Sequence, residues 1–227
     1  MEQPTDLSGA AGMASAIRAE LDALPVRNTA TMRAVRRKYS AWLRPASADV
    51  VLQVARILLE NAATRWIAYE LVRAHRSAFQ SLDEAMLEAL GQGINSWWTV
   101  DAFARTLSGP AWLNGQVSDA AIMKWASSGD PWWRRAALVS TVALNVRSHG
   151  GKGDVFRTLP IFRLLAHDHR DMVAKALSWA LRELVVHDER AIRDFLDEHD
   201  VILAARVKRE VKNKLRTGLK TPRRGNK

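Results

Sequence analysis

The chain has 227 residues, 48% of them hydrophobic, enough for one large core or two small ones. It has no cysteine, which excludes disulfides, zinc–cysteine centres and thiol nucleophiles, and its 7 prolines and 12 glycines are too few for a loop-rich all-β fold. The net charge is +10; the segment from Arg206 to Lys227 holds ten Lys or Arg against one Glu, so it alone supplies +9 and the rest is near neutral.

The opening stretch, MEQPTDLSGAAGMASAIRAELDAL, begins acidic and turns amphipathic, unlike a signal peptide. No apolar run reaches the ~20 residues of a membrane span. A soluble, cytoplasmic chain is expected.

From there the periodicity is helical. Val50, Val51, Val54, Ile57 and Leu58 recur at steps of three and four, as do Ile67, Leu71 and Ala74, then Met86, Leu87 and Leu90. Ser81 with Glu84 reads as a capping box ahead of Ala85-Met86-Leu87. Asp130-Pro131 reads as an N-cap with proline at the first helical position, and Leu138, Val142 and Ala143 follow it. Pro160 is expected to open a further helix, and Val173, Ala176, Leu177, Ala180, Leu181 and Leu184 mark the next. Stops are expected at Arg44-Pro45, Gly91-Gln92-Gly93, Gly109-Pro110, Ser127-Ser128-Gly129 and Gly150-Gly151-Lys152-Gly153. The chain is therefore expected to be all-α. Helix pairs spaced ~35–45 residues apart suit a curved α-solenoid of HEAT-like antiparallel pairs with a concave surface. A compact irregular bundle is the alternative.

Few motifs for chemistry are present. Nucleotide-binding glycine patterns are absent, and Gly150 to Gly153 reads as a flexible loop. His167 and His169 flank Asp168 without the helical spacing of a metal site. No metal and no cofactor are expected. A basic end is the usual footprint of a polyanion partner, nucleic acid above all.

Three clusters then set tryptophan beside charge: Trp97-Trp98-Thr99-Val100-Asp101, Asp130-Pro131-Trp132-Trp133-Arg134-Arg135, and Lys175 to Glu183 around Trp179. Core packing alone rarely needs so many indoles near ions. On a helix, Trp97 and Asp101 lie one turn apart on one face. Trp98, Trp132 and Trp133 read as packing residues, and Trp66, Trp112 and Trp125 as core.

Taken in order, these clusters resemble the DNA alkylation repair glycosylases of the AlkD-like, HEAT-repeat family. Asn95 to Asp101 is similar to its Asn-Trp-Asp-x-Val-Asp stretch, with Trp98 where that family often has Asp. Trp132, Arg135 and Ala137 match its Trp-x-x-Arg-x-Ala pattern, and Lys175 to Glu183 its Lys-Ala-x-x-Trp-x-Leu-Arg-Glu pattern. Arg33 to Tyr39 and Arg65 to Glu70 look like its earlier basic helix and Arg-x-x-Ala segment. The likeness spans roughly 25 to 215.

The resemblance implies a single glycosylase domain over 1–215, a flexible basic tail over 216–227, and a monomer in the bacterial cytoplasm, associated with the nucleoid. Its partner would be duplex DNA containing alkylated purines, with a concave DNA-binding surface. Asp101, Trp97 and Trp179 would be the catalytic group. Arg135 would hold a phosphate beside the lesion, and Arg182, Lys175, Lys208 and Lys212 would bind the backbone. The implied reaction is hydrolysis of the N-glycosidic bond of positively charged N3- or N7-alkylpurines without a deep base pocket. A non-catalytic helical-repeat protein binding damaged or distorted DNA would use the same residues. The two part on base release.

Overall fold

The computed structural model describes residues 9–222, apart from the side chain of residue 149, and among these the chain is helical with no strand. The acidic opening of the N-terminus and the last five residues of the basic tail lie outside the described residues. The chain forms two compact units that part at Gln92–Gly93.

The first unit holds α1 (Ala10–Asp22), α2 (Thr29–Leu43), α3 (Ala48–Leu59), α4 (Arg65–Ala74), α5 (Arg76–Gln80) and α6 (Glu84–Gly91). The Val50–Leu58 periodicity lies on α3, which packs on α1 and α4. Arg36, on the basic helix α2, pairs with Glu70 on α4 at 2.8 Å, and Arg33 approaches the same carboxylate at 3.8 Å. That helix is thus partly neutralised from within. The expected start at Ser81 is displaced: Asp83 caps α6, its carboxylate accepting the Met86 N–H, while the Ser81 hydroxyl donates to the Ala78 carbonyl. Asp competes well with Ser at an N-cap, and here it stands one residue before the helix.

The second unit runs through α7 (Trp97–Phe103), a π-helical turn (Ala104–Ser108), α8 (Gly109–Leu113), α9 (Asp119–Ala126), α10 (Pro131–Asn145), α11 (Val155–Leu165), α12 (Asp171–Leu184), α13 (Glu189–Glu198) and α14 (Ala205–Thr217). Helix α10 is its centre, packed on α7, α8, α9, α11 and α12, and α12 packs in turn on α14. Packing each layer on the next suits a solenoid. Residues 136–145 of α10 are all buried, so the helix is covered on every side.

Two expectations at helix boundaries fail for local reasons. Gly109-Pro110 does not stop a helix, because residues 97–113 form one continuous helical run. The Gly109 N–H reaches back five residues to the Ala104 carbonyl, and this wider turn comes just before the residue that has no N–H to give. Gly109 also lies against α10, where a Cβ would stand 2.9 Å from Ala143 Cβ and from the Ser140 carbonyl oxygen. Pro160 does not open α11; Asp154 caps it, and the proline sits within the helix. The glycine run does separate α10 from α11, and backbone hydrogen bonds hold it. Gly151 N–H bonds the Val146 carbonyl, Gly153 N–H bonds the Leu144 carbonyl, and a Cβ on Gly153 would collide with the His187 ring at 2.5 Å.

The basic C-terminal segment begins as an ordered helix. Its one acid, Glu210, faces inward on α14 at 6% exposure, with Val207 and Val211 buried beside it, and accepts the Ser178 hydroxyl at 2.6 Å. Lys220 Nζ lies 3.6 Å from the same carboxylate. Within the described part of 216–227, the Lys220 carbonyl also accepts a hydrogen bond from the Asn213 side chain on α14. Among the described residues no helix is long and apolar enough to cross a membrane.

Candidate active site

Helix α7 opens on a reciprocal cap. Ser96 accepts the Thr99 N–H and Thr99 Oγ1 accepts the Ser96 N–H, so the first turn starts at Trp97 with its direction fixed. Val100 and Phe103 turn into the core. Trp97 is left 56% exposed and Trp98 37% exposed. Trp98 is therefore more open than the packing role expected of it. Asp101 comes one turn after Trp97, half-buried, on the side facing α10.

Arg135 reaches Asp101 from α10. Its Nε donates to Oδ1 at 3.0 Å and its Nη2 to Oδ2 at 2.9 Å, a two-pronged pairing. Its Nη1 donates to the Met172 carbonyl in the first turn of α12. One guanidinium thus ties three helices together. At 5% exposure, Arg135, from which a phosphate contact was expected, is turned inward onto Asp101. The reason is its register: α10 begins at Pro131, capped by Asp130, and Arg135 falls where the helix is already enclosed.

Burial raises the Asp101 pKa above the ordinary carboxylate value, while the Arg135 hydrogen bonds and charge, and then the charge of Arg105, pull it back. Arg105 follows Asp101 by four residues. It is exposed, and its guanidinium stands over the Trp179 ring at 5.6 Å from the centroid. Sequence reading missed it; the i, i+4 spacing from Asp101 was the available signal. Trp179 on α12 is half-buried, with its indole N–H fixed on Glu183 Oε1 at 2.8 Å. Asp101 and Trp179, far apart in the chain, are thus linked through Arg105.

The other tryptophans divide. Trp133, itself half-buried, packs on Phe103 and on Trp125 at centroid distances of 6.0 and 5.0 Å. Trp112 and Trp125 are buried as expected, and Trp112 gives its N–H to Asp119. Trp132 and Trp66 are only half-buried.

The expected backbone-binding cations are largely engaged inside the protein. Lys175 pairs with Asp171 at 2.7 Å, which holds the Asp171 carboxyl below its usual value, the hydrogen bond from Lys175 being the main cause. Arg182 donates through Nε to the Ser178 carbonyl, and burial lowers its pKa against the pull of Glu210 and then Glu183. Lys208 and Lys212 both close on Asp200, at 3.4 and 3.5 Å. Lys212 keeps most of its side chain in solvent. These pairs are surface ion pairs that a polyanion can replace at little cost.

The AHDHRD turn has a structural role. Asp168 is buried between Arg134 at 3.2 Å and Arg170 at 3.7 Å, while His169 bonds the Ile202 carbonyl.

The arrangement amounts to a half-buried carboxylate in a fixed orientation, with one exposed indole before it in the chain and a second indole linked to it by an exposed cation. Such a site suits a ligand that develops positive charge. A family model described as DNA alkylation repair enzyme matches residues 1–215 of the chain, across both units. Neither the curated proteins nor the solved structures yielded a match.

Proposed function

For a chain that belongs to the family of DNA alkylation repair enzymes, we propose a monofunctional DNA glycosylase acting on positively charged N3- and N7-alkylpurines in duplex DNA. The observation that carries this reading is the Asp101–Arg135 pair, with Trp97 one turn before Asp101 and Trp179 linked to it through Arg105.

An alkylated purine of this kind carries a positive ring, so the base departs neutral and its leaving group needs no proton. The barrier lies at the sugar carbon, where oxocarbenium character develops as the C–N bond breaks. A fixed carboxylate next to that carbon stabilises the charge in the transition state more than in the ground state. Asp101 supplies it. Water then adds to the sugar carbon and gives up a proton, which Asp101 accepts. The products are the free base and an abasic site. A pKa raised by burial makes Asp101 a better proton acceptor than an exposed carboxylate, and the Arg135 pair favours its ionised form.

Trp97 and Trp179 flank the deoxyribose with their faces, and the base stays stacked. Selectivity then follows from the lability of the cationic lesion, and bulky adducts are accepted. Arg135 acts as the positioning residue for Asp101, in place of the phosphate contact first expected of it. The duplex runs along the α7, α10, α12 and α14 layer, on a concave surface. There Lys175, Arg182, Lys208 and Lys212 exchange their internal partners for phosphates, and the protein works as a monomer.

The test is single-turnover release of 7-methylguanine from methylated duplex, with the wild type beside Asp101→Asn. Release that collapses in the variant while duplex binding persists supports the glycosylase. Tight binding of damaged duplex with no release from either protein would replace it with a non-catalytic binder.

A further inference from the structure

We propose that Arg105 is the residue that grips the DNA backbone phosphate beside the lesion, a step that rests on the glycosylase reading above. The other cations of the site already have partners within the protein. Arg135 is buried and committed to Asp101 and the Met172 carbonyl. Lys175, Lys208 and Lys212 are in ion pairs, and Arg182 is turned onto the Ser178 carbonyl. Arg105 alone among the cations tied to this site is exposed with no hydrogen bond or ion pair to its guanidinium among the described residues.

Its position is specific. It stands one turn after Asp101 on the same helical run, and near enough for its charge to act on that carboxylate. It also lies over the Trp179 ring. A guanidinium in that place occupies the space that a cationic nucleotide would enter. The cation is exposed and stands 5.6 Å from the ring centroid, so the contact is worth only about 0.5–1 kcal/mol and is easily given up. A phosphate offers two oxygens to the planar fork and a full charge, which is the stronger partner. The exchange uncovers the Trp179 face for the sugar and anchors the strand next to Asp101 in the same movement.

Because the residue is exposed, substituting it leaves the fold intact. Duplexes bearing a tetrahydrofuran abasic analogue, and undamaged duplexes, are titrated by fluorescence anisotropy over a range of salt with wild type, Arg105→Ala and Arg105→Lys. Release of 7-methylguanine is followed at saturating protein. Removing one phosphate contact should lower the slope of log Kd against log salt by about 0.9 and weaken low-salt binding roughly 5- to 20-fold in Arg105→Ala. Arg105→Lys should keep the slope and recover part of the affinity. The release rate at saturation reads a separate effect, that of the Arg105 charge on the Asp101 carboxylate. An unchanged slope and Kd in Arg105→Ala overturns the proposal. So does a collapse of the saturated rate with Kd unchanged, which would make Arg105 an electrostatic partner of Asp101 only. Absence of release from the wild type would strike the glycosylase reading alone, since the salt slopes still decide the phosphate contact.

Discussion

Arg135 closes two nitrogens of its guanidinium on the two oxygens of Asp101, at 3.0 and 2.9 Å, and with its third holds the first turn of α12. The pair therefore sets both the direction of the carboxylate and its charge. These two functions can be separated by experiment.

Asp101→Asn keeps the shape and removes the charge. Base release should fall about 10²- to 10³-fold, the usual loss when a transition-state charge partner is deleted. Duplex affinity should hold or rise, since a negative charge leaves the interface. The change in stability should be small, because the burial that disfavours the Asp101 charge offsets the counter-ion that Arg135 loses. Single-turnover kinetics and urea unfolding measure the two effects.

The pH dependence follows from the same pair. Arg135 lowers a pKa that burial has raised, so Arg135→Gln should raise the Asp101 pKa further. The acid limb of the release profile should then move to higher pH. In the folded wild type, Asp101 has a higher pKa than in the unfolded chain, so between those two pKa values the native state binds more protons. Its contribution to stability is present in acid and is lost as pH rises through the folded pKa. The Tm of Asp101→Asn relative to wild type should therefore improve with rising pH across that window. A profile whose acid limb stays in place in Arg135→Gln would show that Asp101 does not control the rate.

Trp97 and Trp133 offer a contrast of site against core. Trp97→Ala should leave Tm within a degree or two, as expected for an exposed residue, and slow base release ~10-fold or more. Trp133→Ala removes the ring that packs on Phe103 and Trp125 and should cost about 2–4 kcal/mol, below the range for a fully buried indole. Thermal melts and release assays on the two variants, read together, test the division.

Glu210 is predicted to dock α14. Glu210→Ala strands the buried Ser178 hydroxyl and removes the partner of Arg206 and Lys220, and should cost roughly 1–3 kcal/mol. Hydrogen exchange along 205–217 should speed up first. Unchanged protection there would mean that Val207 and Val211 hold the helix unaided.

Much of this was legible from sequence. The helical class came from apolar residues at steps of three and four, and the Asp130-Pro131 start of α10 from cap chemistry that acts locally. The carboxylate one turn after Trp97 came from spacing on a single helix. What escaped depended on the partner helix. Arg135 looked like a phosphate ligand because a chain of letters does not show that α10 is enclosed on every side. The Asp200 partners of Lys208 and Lys212 lie eight and twelve residues away, a separation that no helical spacing announces. Gly109-Pro110 looked like a stop because the compensating turn lies in the backbone hydrogen bonds, which no side-chain pattern records.

The π-helical turn at Ala104–Ser108 also governs rotational phase. An α-helix advances about 100° per residue, so a turn holding one residue more than the α-helical ladder makes everything beyond it lag by about that angle. Asp101 before the turn and Gly109 after it can each address α10, the first with a carboxylate and the second with bare backbone. A uniform helix would satisfy one and swing the other aside. The turn works as a splice between two helical clocks, letting the packing of α8 be settled without retiming the face that carries Trp97 and Asp101.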